Sequence, residues 1–273
     1  MGLRVNTNLA SMTAQRNLMN VSSRLEGNYR RLASGLRVAT AADDAAGLGI
    51  SERMRSQIRS LAQAGRNAQD GISLVQTAEG ALNEVNNNLN RMRELAVQAA
   101  NGTLSSDDRA VVDTEFQEII NEIDRIAETT NFNGLSLLNT AANTVDIQVG
   151  TEAGETITIT LESFTDTDLA ISSLSVLSAG VASAALSAID TAIGSVNSNR
   201  GTLGATQNRL SSSIRSIANA RENLASAESR IRDVDVAEET ADLTKNGIMQ
   251  QAAVSVLSQA NLQPQIALSL LQG

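Results

Sequence analysis

"LAQAGRNAQDGISLVQTAEGALNEVNNNLNRMRELAVQAA" runs from Leu61 to Ala100. Within it Leu61, Ala68, Val75, Leu82, Leu89 and Ala96 recur at heptad spacing, and Ala64, Gly71, Ala78, Val85, Met92 and Ala99 follow three residues after each. Apolar positions that alternate in steps of 3 and 4 make a helical seam that another helix must cover. The pattern predicts a helix of about 50 residues, about 75 Å long at 1.5 Å per residue. A second seam takes the same steps through Leu186, Ile189, Ile193, Val196, Arg200, Leu203, Gln207, Leu210, Ile214, Ile217, Arg221, Leu224, Glu228 and Ile231. Polar residues inside such a seam commonly set register and partner choice.

Between the seams the texture changes. Val112, Phe116, Ile119, Ile123 and Ile126 form a shorter amphipathic helix, with Ser105 or Ser106 as its cap and Asp107 and Asp108 in its first turn. From 145 to 161 apolar residues alternate with polar ones: Val145, Ile147 and Val149, then Ile157, Ile159 and Leu161. Thr151 to Glu155, with Gly154, separate these runs, which predicts a β-hairpin with a longer loop. Ser172 to Ser183 is rich in Ser, Ala and Gly and is expected to be a short surface turn between the halves.

The two ends match. Leu18, Val21, Leu25, Tyr29, Leu32 and Leu36 stripe an N-terminal helix. Near the C-terminus Ile248, Ala252, Val256 and Ala260 step by four beside Met249, Ala253 and Leu257, and no charged side chain follows Lys245. Each stripe is too thin to fold alone, because isolated helices are marginal in water. Paired with each other and with copies of themselves they bury that surface, so the apolar tail reads as an assembly element.

Composition narrows the function. The 273 residues carry a net charge of −9, which argues against nucleic acid as a partner. Cys and His are absent, so the usual zinc sites, the Ser-His-Asp triad and Cys-His nucleophiles are excluded, and no metal or cofactor is expected. With 1% aromatic residues, Ala and the aliphatic side chains must do the packing. No secretory leader pattern opens the chain. No run of about 18 apolar residues was found, so no membrane insertion is expected. Asp43 and Asp44 are adjacent and point about 100° apart on a helix, which suits a helix N-terminus better than a catalytic pair. Glu115, Glu118 and Glu122 share one face and read as a solvated surface. All basic residues but Lys245 are Arg, which suits planar ion pairs with carboxylates.

Several stretches carry a family resemblance. "RLASGLRVATAADDAAGLGISERM" (31–54), "NAQDGISLVQTAEGALNEVNNNLNRMRELAVQAANGT" (67–103), "NEIDRIAETTNFNGLSLL" (121–138) and the segment from Ala227 to the end resemble bacterial flagellin. The likeness covers roughly 6–161 and 188–273, with departures at Ala42, Gln69 and Asn90. It implies a mainly α fold: a long coiled-coil-like helical rod from the N- and C-terminal halves with a small β-hairpin, plus paired terminal helices. The implied domains are an inner arm at 1–43, a rod part at 44–171 with the hairpin near 145–161, and a short connection at 172–183 in place of outer domains. A second rod helix at 184–234 and an inner arm at 235–273 complete them. The function implied is a non-enzymatic subunit of the extracellular flagellar filament, exported by the type III route without a cleaved signal. A hook–filament junction protein is the alternative, and an enzyme displayed on a filament a more distant one.

The same resemblance implies partners: further copies of the chain, cap and hook–filament junction proteins, an export chaperone and host Toll-like receptor 5. In the receptor-binding segment it points to Arg91 and Leu95, with Glu115 on a neighbouring helix. Arg91 and Leu95 are four residues apart and outside the seam, so both are expected on an outer surface. For polymerisation the candidates are Leu18, Leu25, Leu32, Ile248, Ala252, Val256, Leu257 and Leu270.

Overall fold

The computed structural model describes residues 7–140 and 143–271, with side chains described up to residue 262. Among the described residues five helices carry the fold: α1 (Leu9–Ser34), α2 (Ala45–Ala100), α3 (Ser106–Thr129), α4 (Ala179–Arg232) and α5 (Val236–Leu271). Between α3 and α4 lie the strands β1 (Asn131–Phe132), β2 (Leu135–Ser136), β3 (Asn143–Gln148) and β4 (Thr156–Leu161). The chain divides into two compact units. The first holds Met1–Ser56 and Asn223–Gly273, the second Gln57–Glu222.

In the second unit α2 and α4 run antiparallel. Arg93 Nε is 2.7 Å from Asp190 Oδ1, and a Cβ built on Gly71 would meet Leu210, so partners on α4 fall in number as those on α2 rise. The seam read from α2 is the seam observed: Ala68, Val75, Ala78, Leu82, Val85, Leu89, Met92, Ala96 and Ala99 are fully buried, and Leu61 and Ala64 nearly so.

The seam on α4 is corrected by one position. Ile189, Val196, Leu203, Leu210 and Ile217 are buried as expected, but they alternate with Ala182, Ala185, Ala192, Asn199 and Thr206. Ile193, Arg200, Gln207 and Ile214 sit half-buried on the flank, and Arg221 is exposed. The physical reason is size, because small side chains at the contact line let two long helices approach closely.

No unbroken run of about 18 apolar residues occurs in the sequence, yet one helix is apolar on average. Part of α4 is long and apolar enough, by length and composition, to cross a membrane. Its many Ala residues raise the average without forming an aliphatic run. Ala182, Ala185, Ile189, Ala192 and Val196 from this helix pack into the core.

α3 folds back along α2. Its start is fixed by Ser105, whose side chain accepts the Asp108 N–H while the Asp108 carboxylate accepts from Ser105, a reciprocal cap. Arg109 then donates to the carbonyls of Ala99 and Asn101, both at 2.9 Å, and closes the turn. Val112, Phe116, Ile120, Ile123 and Ala127 face inward.

The hairpin pairs as the alternation predicts, Val145 with Ile159 and Ile147 with Ile157, and Ile159 and Leu161 are buried. Asn67 Nδ2 donates to the Gln148 carbonyl and ties the hairpin to α2. The 172–183 segment is less loose than expected. Gln117 donates to the Leu174 carbonyl and Asp113 accepts from the Val176 N–H, while Ile171 and Val176 are fully buried. α4 begins within this segment, at Ala179.

At Gly71 a side chain would be crowded. A Cβ there would lie 3.1 Å from Ile147 and 3.4 Å from Leu210. Replacing Gly71 by Val is therefore expected to destabilise the second unit by about 1–3 kcal/mol, as overpacking does. A denaturant titration of the variant checks this, and an unchanged midpoint would contradict the packing.

Candidate functional site

In the first unit α1 and α5 pair antiparallel. Asn8 Nδ2 donates to the Ala260 carbonyl at 2.7 Å, and Asn28, twenty residues on, reaches back to Glu239. α1 turns Ser11, Ala14, Leu18, Val21, Leu25, Asn28 and Leu32 inward, with Leu18 and Leu32 half-buried. Tyr29, placed in the N-terminal stripe by the sequence, is instead 61% exposed, and the neighbouring Asn28 takes the inward position. Gly35 ends α1 in the left-handed conformation at φ 71°, which glycine adopts without a steric penalty. A short bridge between Leu36 and Asp233 then joins the segment after α1 to the one after α4. Glu52 accepts from Arg232 at 2.7 Å nearby, and that bond holds its carboxyl below the ordinary range.

The polymerisation candidates divide by face. Leu18, Leu25, Leu32 and Leu257 point into the α1–α5 seam. Ile248, Ala252 and Val256 point out, with Ile248 62% and Val256 58% exposed. Ala260, in the same four-residue stripe by sequence, is buried against α1. Leu270 lies outside the residues whose side chains are described. The outward surface continues through Met249, Val254 and Leu262, with Leu9, Met12 and Met19 exposed on α1.

The expected receptor site is brought together in part. Arg91 Nη2 lies 2.7 Å from Glu115 Oε1, and Arg91 Nη1 lies 3.0 Å from Glu94 Oε2. The bond to Glu115 raises the Arg91 pKa above its ordinary value. Both side chains are about half exposed, 50% for Arg91 and 49% for Glu115. Leu95 is a correction: it is 1% exposed and belongs to the core. A two-helix reading leaves it free, but α3 covers a further side of α2.

Of the paired carboxylates, Asp44 accepts the Gly47 N–H and caps α2, while Asp43 accepts from the Thr40 N–H and hydroxyl. On α3, Glu115 and Glu118 are exposed and Glu122 pairs with Arg125, a solvated face as read.

Asp108, bonded by Ser105, and Asp190, bonded by Arg93, both have carboxyls held below the ordinary range. A depressed folded pKa gives stability that is present above the ordinary value and lost as pH falls through the folded one. Thermal midpoints of the monomer are thus expected to fall below about pH 4, and Asp190→Asn is expected to flatten that fall. A midpoint that is level from pH 6 to pH 3 would contradict these pairs.

Comparison with known proteins agrees with this architecture. Residues 5–143 match the bacterial flagellin N-terminal helical region and residues 186–271 the bacterial flagellin C-terminal helical region. A flagellin of Halalkalibacterium halodurans is 48% identical over 273 residues, covering 98% of this chain and 99% of that protein. The flagellar filament 30.7 kDa core protein of Treponema maltophilum is 41% identical over 282 residues, covering 98% and 99%. The crystal structure of Bacillus cereus flagellin, 36% identical, covers 60% of this chain and 94% of its own with a TM-score of 0.50. With two family regions in order and relatives matched end to end, the chain belongs to the bacterial flagellin family.

Proposed function

We propose that this chain is a non-enzymatic structural subunit that polymerises into an extracellular flagellar filament. The observation that carries this reading is the outward face of α5. Ile248, Met249, Val254, Val256 and Leu262 are exposed on a helix with no charge after Lys245. An apolar surface of that kind on a monomer marks an interaction site. In this reading the paired arms of the first unit form the inner wall of the filament. Export proceeds unfolded and without a cleaved signal. A dedicated chaperone covers the α5 arm before export, and cap and junction proteins meet the same arms at the filament ends.

Electron microscopy of the purified full chain under polymerising conditions tests the reading. Long filaments of the chain alone are the expected result. A chain that stays monomeric across concentrations and precipitants would overturn it.

The resemblance also supports recognition of the monomer by Toll-like receptor 5 through Arg91 and Glu115. These two form an exposed ion pair bridging α2 and α3, while Leu95 is buried in the core. Monomer is expected to activate receptor-bearing cells, and no response at micromolar monomer would reject this part.

A further inference from the structure

We infer that buried polar bonds across the α1–α5 seam select which face of α5 turns toward α1, and so leave its bulkier apolar face for other copies of the chain. The second half of this statement rests on the filament reading above.

The selected face is not the more apolar one. α5 turns inward Glu239, Leu243, Asn246, Gln250, Ala253, Leu257 and Ala260, all buried or half-buried. Only Leu243 and Leu257 are large and apolar among them. Ile248 follows Asn246 by two residues and so lies about 200° round the helix. Hydrophobic burial alone would turn Ile248 and Val256 toward α1. Another force must hold them out.

That force has a place. Asn28 is 5% exposed and Glu239 7%. Asn28 Nδ2 donates to Glu239 Oε1 at 2.5 Å, and Asn28 Oδ1 accepts from Asn246 Nδ2 at 2.9 Å. Arg31 Nη1 lies 3.6 Å from the other Glu239 oxygen. One amide thus uses both ends, and a charge that would be costly to bury alone has a donor and a cation. Turning α5 by half a revolution would carry Glu239 and Asn246 to solvent but leave Asn28, buried on α1, facing apolar side chains without its partners, and a buried polar group without partners is strongly disfavoured.

The far end is pinned too. Asn8 donates to the Ala260 carbonyl while its own oxygen accepts the Ser11 N–H, and Ser11 Oγ donates to Asn261 Oδ1 at 2.7 Å. Sliding α5 by one heptad would put Asn246 and Ala253 where Glu239 and Asn246 sit. Arg31 would then lose its carboxylate and Asn28 one of its bonds. Polar residues in a seam are known to fix register and orientation at some cost in stability. Asn28, Glu239 and Asn246 are therefore positioning residues for assembly.

The test uses the absence of Cys from the chain. Single reporters Val256→Cys and Leu257→Cys, one outward and one inward, are labelled with a maleimide on the full-length monomer, and filament yield of each background is measured in parallel. In the native background Val256→Cys is expected to react about tenfold faster than Leu257→Cys. With Asn28→Leu, Glu239→Leu and Asn246→Leu combined, the preference is expected to vanish and filament yield to fall about tenfold or more. The swap Asn28→Glu with Glu239→Asn keeps a donor facing a carboxylate and is expected to restore both readouts. Should the triple variant not fold, Asn246→Leu alone carries the same labelling test.

An unchanged labelling preference in a folded variant overturns the selection. A swap that fails to rescue labelling does the same. Lost preference with normal filament yield leaves selection standing and overturns its link to assembly. Failure of the native chain itself to form filaments rejects the filament reading instead.

Discussion

A chain ending at Thr244 is expected to form no filaments under conditions where the full chain grows them, while its second unit unfolds at an unchanged midpoint. The deletion removes Ile248 and Val256, the outward side chains with 62% and 58% exposure, and with them the charge-free arm. Burying two such side chains between subunits contributes about 1.5–3 kcal/mol each. At about 1.4 kcal/mol per factor of ten, their loss alone raises the concentration needed for growth by roughly 100-fold or more. The deletion also uncovers α1. Asn246, Ala253, Leu257 and Ala260 are the inward partners of its seam, and a lone helix is marginal in water. None of the core of α2, α3, α4 and the hairpin lies in the deleted stretch. Sedimentation together with thermal circular dichroism separates the two effects. Filaments from the shortened chain would reject the role of the arm, and a lowered midpoint of the second unit would reject its independence from it.

The elements that the sequence disclosed best are those where one pattern answers to one neighbour. α2 meets α4 along Leu82, Val85, Leu89 and Met92, so size, polarity and spacing agree there. The hairpin was equally legible, because Val145, Ile147, Ile157 and Ile159 alternate on strands only a few residues apart. Legibility falls where small or polar residues take inward positions. On α4 the contact line uses Ala192, Asn199 and Thr206, and a reading weighted by size chose Ile193, Arg200 and Gln207 beside them. On α5 the inward face is set by Glu239 and Asn246, whose partner Asn28 lies 211 and 218 residues away in sequence. No local periodicity carries a bond of that reach. Leu95 failed for a third reason: a helix with two neighbours buries more than the two positions per heptad that a pairwise seam requires.

Leu95→Ala is expected to lower the thermal midpoint of the monomer by about 5–20 °C. The side chain is 1% exposed within the main core, and truncating a buried Leu costs about 2–5 kcal/mol. For a folding unit of this size each kcal/mol moves the midpoint by roughly 2–4 °C. Arg91→Ala, four residues earlier on the same helix, is expected to leave the midpoint nearly unmoved. Its guanidinium is half exposed and bonded to Glu115 and Glu94 at the surface, where ion pairs add little stability. The contrast decides how the receptor site is read. If Arg91 contacts the receptor, Arg91→Ala weakens activation of receptor-bearing cells while the fold stays intact. A loss of activation in Leu95→Ala instead follows from a loosened α2–α3 contact, and it should recover when the assay is run well below that variant's midpoint. Equal midpoints for Leu95→Ala and the native chain would contradict the burial of Leu95 and return it to the surface. Full activity in Arg91→Ala would remove the residue from the contact and leave its bond to Glu115 as a brace between α2 and α3.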